Sequence, residues 1–135
     1  MQNLISDLIK LEALTKEVHW NMRGRGFIFV HKYLDEVYES CEEYIDEVAE
    51  HMAARGEKPC WTPAVYEHFP KSSSASSVHV ALKIMTGILT EVVTNAEEAC
   101  LSADGSDPAG EDILVRVLQD FNKHRWFFVR ECGGV

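Results

Sequence analysis

A chain of 135 residues is the size of one domain with a single core, taken here as residues 1–135. Its 46% hydrophobic and 26% charged residues are the proportions of a soluble globular protein. The net charge of −9 speaks against non-specific nucleic-acid binding, which needs Lys and Arg to displace counterions from phosphates. It favours cationic partners, metal ions among them. No apolar run approaches the roughly 20 residues of a membrane span. The opening Met1-Gln2-Asn3-Leu4 lacks the basic start and apolar stretch of a secretory signal, so a cytoplasmic location is expected. Cys41, Cys60, Cys100 and Cys132 include no Cys-x-x-Cys pair, which argues against a structural zinc clip and for reduced thiols. Cys60, beside Trp61, is expected in an exposed loop.

Four segments read as helix and none as strand. Leu4, Leu8, Leu11, Val18 and Met22 recur at helical spacing and predict a first helix from about Asn3 to Arg23, stopped by Gly24-Arg25-Gly26. Leu34, Tyr38, Cys41, Ile45, Val48 and Met52 predict a second helix from Phe27 to Arg55, ended by Gly56. A connection of about 20 residues follows, with Pro59, Pro63, Pro70 and a serine run. Thr62-Pro63 is placed to start a short helix through His68, because proline suits a first helical turn. A third helix is expected from Ser76 or Ser77 to Ser102, a turn at residues 103–107, and a fourth helix from Pro108 to just before Gly133. Short, long, short connections describe two antiparallel hairpins joined by one crossover, an all-α four-helix bundle.

The second helix carries the chemistry. Asp35, Glu36, Glu39, Glu42, Glu43, Asp46, Glu47 and Glu50 crowd sixteen positions, with no Lys or Arg between Lys32 and Arg55. Such acids at i,i+4 repel by roughly 0.2–0.5 kcal/mol per pair, so something cationic is expected to offset them. A solvated acidic face is the plain alternative. His31, Asp35, Asp46 and Glu50, however, share one sector of the helix beside its apolar stripe. His31/Asp35 and Asp46/Glu50 are each i,i+4 pairs able to aim two ligands at one point. The pairs stand about 16 Å apart along the axis, too far for one ion with bonds of about 2 Å.

Antiparallel packing of two copies across a two-fold axis removes the difficulty, since each copy's first pair then meets the other's second pair. His19, near the end of the first helix, is a further candidate ligand through the short turn to His31. Imidazole and carboxylate donors without thiolate suit iron better than copper(I) or structural zinc. No Glu is followed three residues later by His, so a di-iron site inside one bundle, built on Glu-x-x-His, is not encoded.

On these residues the chain resembles the Dps family, the ferritin-like mini-ferritins. The matching motifs are Lys16-Glu17-Val18-His19-Trp20-Asn21, then His31-x-x-x-Asp35-Glu36, then Asp46-Glu47-x-x-Glu50, with Lys123-His124-x-Trp126 near the end. The resemblance implies a ferritin-like bundle with a short helix in the crossover, assembled from two-fold dimers into a dodecameric cage. It further implies ferroxidase sites in which His19, His31 and Asp35 of one chain face Asp46 and Glu50 of another. There ferrous iron is oxidised by hydrogen peroxide, or more slowly oxygen, and ferric mineral is stored; zinc is a competitor for the ligands.

For Trp20 two readings stand side by side, interception of stray oxidising equivalents and packing at a dimer interface. Asp107, Glu111 and Asp112, with Asp104, occupy the region where the family lines its pores. An N-cap at Asp107 and helix-dipole complements at Glu111 and Asp112 are the local alternatives. Glu39, Glu42 and Glu43 are candidates for mineral nucleation. His51, His68, His79 and His124 read as non-ligands. The chain departs from many members in lacking a Lys-rich N-terminal extension, and its C-terminal Glu131-Cys132-Gly133-Gly134-Val135 is not basic, so DNA binding is not expected; separately, it has Gly24-Arg25 where many members have Gly-Pro. DNA compaction and a scaffold with no redox role are the competing functions.

Overall fold

The computed structural model describes residues 1–61 and 77–133. Four helices run in chain order: α1 Gln2–Asn21, α2 Phe27–Ala54, α3 Val78–Leu101 and α4 Pro108–Glu131. Among the described residues there is no strand. The α1/α2 and α3/α4 hairpins lie side by side, with α1 packed on α3 and α2 on α4. The short helix expected from Thr62 to His68 lies outside the described residues.

The boundaries follow from local chemistry. α1 stops two residues early, because Met22 turns to extended backbone while its N–H still reaches the Val18 carbonyl. Gly24 and Gly26 then take φ of 118° and 85°, and this left-handed pair reverses the chain into α2. Ser77 caps α3 by accepting from Val80 N, and Asp107 caps α4 by accepting from Gly110 N, with Pro108 opening the helix.

The apolar stripes meet in one core. Leu8, Leu11 and Val18 of α1, Leu34, Val37 and Val48 of α2, Met85 and Leu89 of α3, and Val117 and Phe121 of α4 are all fully buried. Each such side chain contributes about 1.5–3 kcal/mol by leaving water. Tyr38, expected in the stripe of α2, is only half-buried at its edge; Val37 and Tyr44 take the core positions. The Tyr38 ring instead lies under the Lys16 ammonium, 4.1 Å from ring centre to Nζ. Trp126 is exposed and no part of this chain's core. None of the described helices is long and apolar enough to cross a membrane.

Candidate metal centre

The turn between α1 and α2 folds the last turn of one helix onto the first turns of the next. There the His19 and His31 rings stack with centroids 3.6 Å apart and planes 21° apart. His31 Nδ1 lies 3.2 Å from the His19 carbonyl oxygen. A carbonyl only accepts, so Nδ1 carries the proton and Nε2 keeps its lone pair for another partner. His19 is more sheltered, its side chain 11% exposed. Neither of its ring nitrogens has a hydrogen-bond partner, although Nε2 lies 3.2 Å from Asp35 Oδ1. Proximity without hydrogen-bond geometry leaves a buried polar ring unsatisfied, which is costly.

Burial lowers the His19 pKa, opposed by the charge of Asp35 and reinforced by His31 and Lys16. Burial thus favours the neutral ring, whose unprotonated nitrogen has a lone pair for coordination. Burial pushes the Asp35 carboxyl up. The Lys16 hydrogen bond and the charges of His19 and Lys16 outweigh it, leaving the pKa below the usual range. Lys16 Nζ stands 3.3 Å from Asp35 Oδ1. Sequence reasoning missed this competing cation, although Lys16 precedes His19 by one helical turn and so shares its face.

Asp46 and Glu50 are exposed farther along α2. Among the described residues neither makes a hydrogen bond or ion pair, whereas Glu47 between them is gripped by both terminal nitrogens of Arg116. The fold thus gathers His19, His31 and Asp35 and leaves Asp46 and Glu50 apart. Among the described residues of one chain, no three His, Cys, Asp or Glu side chains converge closely enough to hold a metal ion. Trp20, adjoining His19, is 72% exposed.

The acids around the start of α4 have local partners. Asp107 Oδ2 lies 2.8 Å from His51 Nε2 and its Oδ1 lies 3.4 Å from Arg55 Nη1, so the N-cap also ties the end of α2 to α4. Glu111 accepts from Gly105 N at 2.9 Å, and Asp112 accepts from Arg116 Nε at 3.0 Å. His124 is buried between α2 and α4. Its Nδ1 accepts from Tyr33 Oη at 2.7 Å, and Nε2 lies 3.0 Å from Ser40 Oγ. Ser40 donates to the Glu36 carbonyl, so the His124 Nε2–H donates to Ser40 and the neutral ring is fully satisfied. Glu39, Glu42 and Glu43 are exposed, and His68 lies outside the described residues.

Residues 1–133 match the family model of the ferritin-like domain. A DNA protection during starvation protein of Mycolicibacterium smegmatis is 26% identical over 143 residues, spanning 99% of this chain and 77% of that protein. A Mycobacterium smegmatis Dps crystal structure superposes with a TM-score of 0.89 at 27% identity, covering 99% of this chain and 85% of that one. The chain belongs to the Dps family. The Dps of Listeria monocytogenes shares the fold with a TM-score of 0.91 at 22% identity, over 99% of this chain and 91% of its own. Both pairs of α2 ligand candidates in this Dps-family chain belong to one unbroken helix, Phe27–Ala54.

Proposed function

We propose that this protein is an iron-oxidising, iron-storing mini-ferritin whose oxidation sites form only between two copies of the chain. The carrying observation is the buried His19 ring, with both nitrogens unsatisfied, stacked on His31 and beside Asp35. A ferrous ion, here the substrate, supplies the missing partner. His19, His31 and Asp35 of one copy and Asp46 and Glu50 of a second complete its ligands. The set fits iron by its chemistry, two imidazoles with carboxylates and no thiolate, and zinc is an expected competitor.

The donor groups do three things in this reading. The Nδ1–H of His31, held by the His19 carbonyl, fixes that ring's tautomer and aims Nε2. Asp35 exchanges the Lys16 ammonium for the metal. The carboxylates of the second copy offset the charge gained as ferrous becomes ferric. Two ferrous ions give two electrons, and solvent two protons, to one hydrogen peroxide, whose O–O bond breaks to yield two waters rather than a hydroxyl radical. Oxygen is a slower acceptor.

Ferric product collects in a closed assembly. Twelve chains of 15.3 kDa form a particle of about 184 kDa. The exposed Glu39, Glu42 and Glu43 are proposed to seed mineral, and Asp107, Glu111 and Asp112 to border its pores. Iron chemistry rather than DNA coating is the proposed route to protection, since a chain of net charge −9 repels phosphate. The cytoplasm is the proposed setting.

The test pairs two double variants. His31→Ala with Asp35→Ala is expected to abolish rapid peroxide-driven iron oxidation with helix content unchanged, as is Asp46→Ala with Glu50→Ala. Mixing the two restores activity in mixed dimers, where one of the two sites keeps every ligand. Undiminished oxidation in either variant, or no recovery in verified mixed dimers, would overturn the proposal.

A further inference from the structure

The four cysteines differ sharply in surroundings, and Cys132 stands beside an imidazole. Cys41 is wholly buried in the core, and burial, with Glu12 and Glu42, pushes its thiol well up. Cys100 is half-buried, and burial, with Glu111 and Glu97, raises its thiol as well. Cys60 is exposed beside Trp61. Cys132, following the last turn of α4, has its Sγ 3.9 Å from Nδ1 of His79, the second residue of α3.

This pair lies at the end of the bundle where α4 finishes and α3 begins. α3 starts there because Val78 N donates to the Arg23 carbonyl and Ser77 caps Val80 N. The C-terminus of α4 disfavours an anion on Cys132, while the N-terminal turn of α3 and a neighbouring imidazole able to take up the thiol proton favour one. The charged residues flanking the pair in sequence are Glu131, before Cys132, and Lys83, one turn beyond His79. His79 is exposed and Cys132 half-exposed, so a small oxidant can reach the sulfur.

We propose that Cys132 and His79 form a peroxide-reactive thiol site, separate from the iron ligands. The Cys132 proton passes to His79 Nδ1, giving thiolate and imidazolium. The thiolate sulfur attacks one oxygen of hydrogen peroxide, forming an S–O bond as the O–O bond breaks. Sulfur loses two electrons and peroxide gains them. The departing hydroxide takes the proton from His79 and leaves as water, so Cys132 ends as a sulfenic acid that a small external thiol reduces again.

The gain from the histidine is bounded. Each unit of thiol pKa lowering raises the thiolate fraction about tenfold near neutral pH but costs about half the logarithm in nucleophilicity, a net threefold. The experiment uses the intact, iron-free protein, so it stands or falls independently of the iron sites. Protein treated with hydrogen peroxide is trapped with dimedone, and adducts are mapped by mass spectrometry. Cys132 is expected to label faster than Cys60, with Cys41 unlabelled.

His79→Asn, which keeps a polar atom at Nδ1 but accepts no proton, is expected to slow Cys132 labelling about threefold to tenfold while Cys60 keeps its rate. The iodoacetamide pH–rate profile of Cys132 is expected to shift its midpoint upward in the same variant. His79→Gln serves as a second surface substitution. Labelling of Cys132 no faster than Cys60, or a Cys132 profile indifferent to both substitutions, would overturn the proposal.

Discussion

At the residue scale, two histidines show opposite uses of a buried imidazole. His19 has nitrogens without partners, and His124 has both satisfied. Burial lowers the His124 pKa to about 4, against the opposing charge of Asp120. Its folded value lies below the unfolded value of about 6.5. Its contribution to stability is therefore complete above pH 6.5 and is lost as pH falls through the interval down to about 4. An NMR titration is expected to show the His124 ring neutral until the pH nears 4, and a midpoint at 6.5 or above would contradict that assignment.

Lys16 sets a second expectation, because its ammonium occupies Asp35. Lys16→Met removes a half-exposed ion pair of about 0.2–1 kcal/mol, so ferrous or zinc affinity is expected to rise up to about fivefold by titration calorimetry. Unchanged or weaker affinity would mean that Lys16 does not compete with the metal. The spacing of His19, His31 and Asp35 was readable in the sequence. The Lys16 contact was not, because it depends on how the α1/α2 turn sets two helix faces against each other.

At the element scale, apolar periodicity in the first two helices and turn or breaker residues around the last two located all four to within two residues at each end. Helix ends are less legible, since the stop of α1 rests on the backbone of Met22 rather than on a breaker residue. The apolar stripe of α2 was legible apart from Tyr38, whose hydroxyl and edge position keep it half in water. The start of α4 shows what spacing hides. Asp107 was readable as a cap, but its link to His51, fifty-six residues away, is a product of the bundle. The carboxyl is held below its ordinary pKa by the His51 hydrogen bond first and the Gly110 N–H second.

Asp107→Ala is expected to destabilise the protein by about 1–2 kcal/mol in urea unfolding, the cost of a lost N-cap. A loss under about 0.3 kcal/mol would show that the cap and the link to His51 contribute little. Gly110 gives an independent check on the same corner. A Cβ there would stand 2.2 Å from Asp107 Oδ2, so even alanine must displace the cap.

At the scale of the whole molecule, the single chain leaves Trp20, Ile28, Phe29 and Trp126 open to water. The first three flank the turn that carries His19 and His31, so the region proposed for iron oxidation is also the one with apolar surface to cover. A native mass near 184 kDa is expected from light scattering on metal-free protein, with a dimer as the smallest species able to oxidise iron. A strict monomer that still oxidised iron rapidly would contradict the shared site. The sequence carried the candidate ligand types and their register, but one chain cannot display a site proposed to take its halves from two.

The unbroken run of α2 has a kinetic consequence. With one proposed half-site near each end of a 28-residue helix, a newly made chain is, on that reading, inert toward iron until it meets another. Below the concentration at which dimers persist, the initial oxidation rate should grow with the square of chain concentration and become linear above it. Reactive iron chemistry would then switch on by encounter, close to the moment at which a compartment for its product begins to exist.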